Sequence, residues 1–162
     1  MPDPLTISAT QVGKRLRAKG ALLVTAESCT GGWVAQAITA IAGSSEWFER
    51  GFVAYSNAAK EELLGVRRET LERHGAVSEE TARELALGAL QHSRGTISVA
   101  VTGIAGPAGG TAAKPVGLVC FAWATRDGIR SEFRHFGGDR EAVRRQSVSR
   151  ALEGVLEMLD SS

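Results

Sequence analysis

Serine and cysteine stand side by side at Ser28 and Cys29, within the segment TAESCTGG at residues 25–32. An apolar run that ends in a small polar turn and enters a helix through two glycines sets side chains over unpaired helix N–H groups. Such a turn binds anions or stabilises an oxyanion. Ser28 or Cys29 then serves as a nucleophile, the thiol with a pKa lowered by the helix N-terminus, and Gly31 and Gly32 let a substrate approach the main chain. The same spacing also suits a plain strand-to-helix turn with Ser28 or Thr30 as its N-cap.

A second candidate is YSNAAK, residues 55–60, where Tyr55 is expected to end a strand and Lys60 to fall in the first turn of the next helix. A cation is disfavoured there by the helix macrodipole, and the same field with partial burial favours the neutral amine that a general base requires. Only Lys14, Lys19, Lys60 and Lys114 are lysines among 19 basic residues, so a lysine at this place is not background, although a surface side chain that snorkels fits equally. The third candidate, TGIAGPAGGTAAKP at 102–115, is a glycine-dense loop whose backbone N–H groups, from Thr102, Gly103 and Gly106 onward, suit a phosphate. It is neither a Walker A loop nor GxGxxG. The fourth is the cluster Arg140, Arg144, Arg145 and Arg150, whose guanidinium forks suit phosphate or carboxylate but also suit a solvated helix face. His74, His92 and His135 stand in unlike contexts and receive no role.

The elements that must position these residues follow from periodicity and capping. Ser8 to Gly20 predicts an amphipathic helix, 21–26 a buried strand, 33–42 a second helix and 51–55 a second strand. Ser56 or Asn57 caps a helix that ends at Gly65, and Ser78 caps a longer one to about Ser93. Residues 96–101 predict a third strand, and 116–124 with 129–136 a hairpin about Asp127-Gly128. Asp139 caps a last helix to about Leu159. Alternating strands and helices with one late hairpin predict an α/β fold, a three-layer α/β/α sandwich with a mixed sheet of about five strands.

The 162 residues suit a single domain over 1–162, able to bury a core without disulfides or structural metal. A net charge of +1 argues against a general nucleic-acid or membrane-surface binder, and no apolar run approaches a membrane span. The start, MPDPLTISATQ, lacks a signal-peptide pattern, so a cytoplasmic location is expected. Cys29 and Cys120 read as free thiols, and no metal-ligand spacing accompanies them.

TAESCTGGWVAQAIT, GSSEWFERGFVAYSNAAKEELLGV, HGAVSEETA, VTGIAGPAGGTAAKPVG and GDREAVRRQ together resemble the CinA C-terminal domain family, over about residues 7–156. The resemblance implies a metal-free, cofactor-free amidase that hydrolyses nicotinamide mononucleotide to nicotinic acid mononucleotide and ammonia in pyridine nucleotide salvage. It implies Ser28 as nucleophile, with Tyr55 and Lys60 assisting. It connects Ser45, Thr102 and Arg144 with substrate binding or site organisation, and it suggests a homo-oligomer, a dimer in the first instance. The longer members' additional N-terminal domain has no counterpart in these segments. Two rival readings are a Ser/Lys amidase for another amidated nucleotide and a non-catalytic, competence-associated nucleotide-binding module.

Overall fold

The computed structural model describes residues 2–161. Along the chain come α1 (Pro4–Lys19), β1 (Leu23–Glu27), α2 (Trp33–Thr39), β2 (Phe48–Val53), α3 (Asn57–Leu64) and α4 (Arg68–His74). They are followed by α5 (Glu79–Gln91), β3 (Ile97–Gly103), β4 (Leu118–Thr125), β5 (Gly128–His135) and α6 (Arg140–Asp160). One five-stranded sheet has the order β2-β1-β3-β4-β5. β1 pairs in parallel with β2 and β3, and the β3–β4 and β4–β5 pairs are antiparallel, so the sheet is mixed.

Side-chain alternation along the strands builds two cores. Leu23, Ile97, Val99 and Val101 join α1, α2 and α6 on one face, whereas Val24, Ala26 and Ala100 join Leu64, Leu71 and the α5 alanines on the other. Helices therefore cover both faces, giving the expected three layers. α6 comes very close to the sheet at Gly154, where a Cβ would lie 2.0 Å from the Trp123 ring. The indole N–H of Trp123 donates to the Ala151 carbonyl at 3.0 Å, so that ring is both packed and satisfied. Among the described residues no helix is long and apolar enough to cross a membrane.

Three of the expected caps act as such. The side chains of Ser56, Ser78 and Asp139 accept from the N–H groups of Ala59, Thr81 and Ala142. Gly20 ends α1 in a left-handed conformation at φ 62°. The start of α1 differs, because Asp3 rather than Ser8 is the N-cap, accepting from Leu5 N, and Pro4 occupies the first turn, where a missing N–H costs nothing. β2 runs over 48–53 rather than 51–55, so Tyr55 lies beyond the strand instead of ending it. β3 extends to Gly103 and α2 stops at Thr39. α4 and the 3-10 turn Ser44–Glu46 carry no strong apolar period, and α4 buries only Thr70 and Leu71.

Candidate active site

The chain leaves β1 for β2 on one side and returns through α3, α4 and α5 to β3 on the other. The carboxyl ends of β1 and β3 therefore flank a topological switch point, where open α/β sheets leave a crevice for ligands. A cavity of about 280 Å³ opens there, lined by Ser28, Tyr55, Lys60, the Thr102–Gly106 strand end and loop, and Arg140, among others.

Ser28 follows β1 directly, and its N–H donates to the Val101 carbonyl at 2.9 Å, which extends the β1–β3 ladder by one bond. The turn beyond it is held from beneath by Glu27. This carboxylate is 2% exposed and accepts from Thr30 Oγ1 at 2.6 Å, Val34 N at 2.8 Å and Ala35 N at 3.0 Å. A strand-end acid thus takes the place of a side-chain cap on α2, whose N-cap is Gly32 at φ 102°. Two further bonds fix the turn from α6, because Arg144 donates through Nε to the Cys29 carbonyl and through Nη2 to the Thr30 carbonyl, each at 3.1 Å. Its guanidinium also lies over the Trp33 ring, 5.5 Å from the centroid.

Lys60 reaches Ser28 from α3. Its side-chain nitrogen lies 3.1 Å from Ser28 Oγ and 3.0 Å from the Tyr55 main-chain carbonyl, and the residue is 1% exposed. Burial holds its pKa below the ordinary lysine value, and a Cys29 thiolate would act in the opposite sense. That thiolate does not form near neutrality, since burial first and the Glu27 charge second push the Cys29 thiol up to about 12. The expectation of a thiol activated by the helix N-terminus is therefore corrected: desolvation and a neighbouring carboxylate outweigh the end of a seven-residue helix.

The structure brings Ser28, Tyr55, Lys60, Thr102, Gly103 and Gly106 together around this one cavity. The Tyr55 phenol is not between Lys60 and Ser28; it is exposed at the mouth, where Arg140 Nη2 lies 3.5 Å from its oxygen. The hydroxyl of Thr102 donates to the Ala76 carbonyl at 2.8 Å. Gly31, Gly32 and Arg144 belong to the turn and its support rather than to the cavity lining. Ser45 sits in the 3-10 turn before β2, at the amino-terminal end of that strand and away from the cavity. The arginine that does line the cavity is Arg140, first residue of α6, which donates through Nη1 to the Gly106 carbonyl at 2.8 Å. Its signal in the sequence is its place directly after the Asp139 cap. Among the described residues no group of three or more His, Cys, Asp or Glu side chains is placed to hold a metal ion.

A serine and a buried lysine thus meet at the switch point of a mixed α/β sheet, beside a glycine-rich loop. The CinA C-terminal domain model matches residues 6–159, and the chain belongs to that family. It is 59% identical over 144 residues to the nicotinamide-nucleotide amidohydrolase PncC of Escherichia coli (strain K12), covering 88% of this chain and 87% of that protein. The protein of the same name from Pseudomonas putida is 51% identical over 156 residues, 96% and 98% of the two chains. Among solved structures, the competence/damage inducible protein CihA from Agrobacterium tumefaciens superposes with a TM-score of 0.94 at 46% identity, over 99% of this chain and 98% of that one.

Proposed function

We propose that this chain is a nicotinamide-nucleotide amidase that hydrolyses nicotinamide mononucleotide to nicotinic acid mononucleotide and ammonia, with Ser28 as nucleophile and neutral Lys60 as general base. The observation that carries the reading is the 3.1 Å contact between Lys60 Nζ and Ser28 Oγ inside a cavity that keeps the lysine dry. The names of the Escherichia coli and Pseudomonas putida relatives support the substrate class.

Lys60 takes the hydroxyl proton as Ser28 Oγ attacks the carboxamide carbon, and the carbonyl π pair moves to oxygen. The turn at Cys29 and the 103–106 backbone, which line the cavity, supply the main-chain N–H donors for the developing oxyanion. Collapse of the tetrahedral species breaks the C–N bond, and the protonated Lys60 returns its proton to the leaving nitrogen, releasing ammonia. Water, deprotonated by the same amine, then cleaves the acyl-serine and restores Ser28. Arg140 and the 103–106 backbone hold the 5′-phosphate, remote from the reacting carbon, so that binding energy orients the amide. Tyr55 supports the base with its main-chain carbonyl, and its phenol helps Arg140 define the mouth. Arg144 organises the nucleophile turn without touching phosphate.

The test is production of ammonia and nicotinic acid mononucleotide by the wild-type chain beside Ser28→Ala and Cys29→Ala, with no metal added. Turnover that is lost only in Ser28→Ala supports the assignment. Loss in Cys29→Ala alone would move the nucleophile, and binding without turnover in the folded wild type would favour a nucleotide-binding module. In the same reading the chain is one amidohydrolase domain, working in the cytoplasm as a homodimer in pyridine nucleotide salvage; sedimentation equilibrium reads the assembly directly.

A further inference from the structure

Beside the Ser28 cavity lies a wider one of about 710 Å³ that the proposed reaction does not use. Val77 lines both, so the segment between α4 and α5 is their common wall. The chemistry of the wider cavity is of three kinds. Phe133, 55% exposed on the edge strand β5, meets the His135 ring edge-on at 5.7 Å and offers an aromatic face to solvent. Arg73 from α4, Arg83 from α5 and Lys114 from the loop before β4 bring cationic donors, each with one partner already: Glu69 for Arg73, the Ser131 hydroxyl for Arg83 and the His74 carbonyl for Lys114. Glu79 and Glu80 bring carboxylates, and each is already faced by a donor: Glu79 accepts from the Ser131 hydroxyl at 2.8 Å, and Glu80 lies 3.5 Å from His74 Nδ1.

We propose that this cavity is a second nucleotide site, taking a nucleoside phosphate with its base against Phe133 and His135, its phosphate on Arg73, Arg83 and Lys114, and its ribose hydroxyls toward Glu80. Aromatic face, guanidinium forks and a carboxylate acceptor are the complements of base, phosphate and ribose respectively. The volume lies in the range that small-molecule sites occupy. A bare anion would leave the aromatic wall unused, and an apolar ligand would desolvate the charges without pairing them. The position also matters. Lys114 Nζ donates to the His74 carbonyl and Thr102 Oγ1 to the Ala76 carbonyl, so one short stretch is tied on one side to the wider cavity and on the other to the catalytic one. The site is inferred from its own lining and stands whatever reaction Ser28 performs.

Calorimetric titration of the full chain with AMP, adenosine and inorganic phosphate tests it. AMP is expected to bind saturably, about tenfold or more tightly than either fragment, and about tenfold or more weakly to Phe133→Ser and Arg73→Ala. Both side chains are exposed enough that the fold survives their loss, and Phe133→Tyr, which keeps the ring, is expected to retain binding. Equal AMP affinity in wild type and Phe133→Ser overturns the proposal, as does phosphate binding as tightly as AMP. AMP binding lost in Arg140→Ala but kept in Phe133→Ser assigns the nucleotide to the catalytic cavity and also overturns it. A change of oligomeric state in Phe133→Ser with no effect on AMP gives the face to a second copy and likewise overturns the proposal.

Discussion

Replacing Lys60 by methionine isolates the proposed base, because it removes the amine while keeping an unbranched stem in a position that is 1% exposed. The amine is 3.1 Å from Ser28 Oγ, close enough to receive its proton without an intervening water. Positioned general bases contribute about 10²–10⁴ in rate, so Lys60→Met is expected to lower kcat by that factor, or about 3–5 kcal/mol of transition-state stabilisation. The pH dependence provides an independent reading. Burial favours the neutral amine, so wild-type kcat/KM is expected to rise with pH through a lysine pKa below the ordinary value of 10.5, and that limb is expected to vanish in Lys60→Met. Stability moves in a defined direction as well. Between the folded and unfolded lysine pKa values the unfolded chain binds more protons, so stability rises with pH across that window. Near neutrality the methionine variant escapes the cost of burying an amine that is protonated in the unfolded chain, and its Tm is not expected to fall below that of the wild type. Ammonia release from nicotinamide mononucleotide, followed from about pH 6 to 10 in both proteins, is the assay. Activity within about threefold of wild type, or an unchanged alkaline limb, would refute the role of Lys60.

Four further outcomes are expected. Cys29→Ala should keep wild-type kcat within a few-fold, because a thiol pushed up to about 12 is ionised in roughly one molecule in 10⁵ at pH 7. Glu27→Ala, which strips three acceptor contacts from the nucleophile turn, should cost at least about 3 kcal/mol in denaturant unfolding and depress kcat, with Glu27→Gln retaining part of both. Arg140→Ala should raise KM by about 10–100-fold with a smaller change in kcat, whereas Arg144→Ala should act mainly on kcat through the turn it holds. Gly154→Ala places a methyl group into the Trp123 ring and should lower stability by about 1–3 kcal/mol, seen as a fall in Tm of roughly 2–10 °C.

Caps and left-handed glycines make the helices readable, since each is a local signal that tertiary packing does not override. Ser56, Ser78, Asp139 and Gly20 serve as expected, whereas the start at Ser8 fails because Pro4, a breaker inside a helix, is well suited to the first turn. β2 begins before its expected start because Glu49 and Arg50 interrupt its apolar pattern; on this edge strand Arg50 reaches solvent and Glu49 accepts from Arg50 Nε and the Arg94 N–H, so the charges cost little. α4 escapes notice because a seven-residue segment that buries two side chains has almost no periodic signature. For the site, residue type and flanking pattern point to Ser28 and Lys60, although 32 positions separate them. The choice between Arg140 and Arg144 is not readable, because residues one turn apart share a side and differ only in depth against the turn. The Cys29 environment is hidden for a related reason: Glu27 stands two residues away in the sequence, but the burial that raises the thiol most exists only after β1 and α2 have packed.

The lysine is fastened to residue 55 through that residue's carbonyl, not its side chain. Every amino acid carries a carbonyl, so drift at position 55 leaves the lysine's main-chain partner in place while changing what stands at the entrance. In the proposed mechanism, support of the base and the shape of the entrance are thus carried by different atoms of a single residue. In that mechanism, substrate range can diversify at this position by single substitutions that keep the main-chain contact to Lys60.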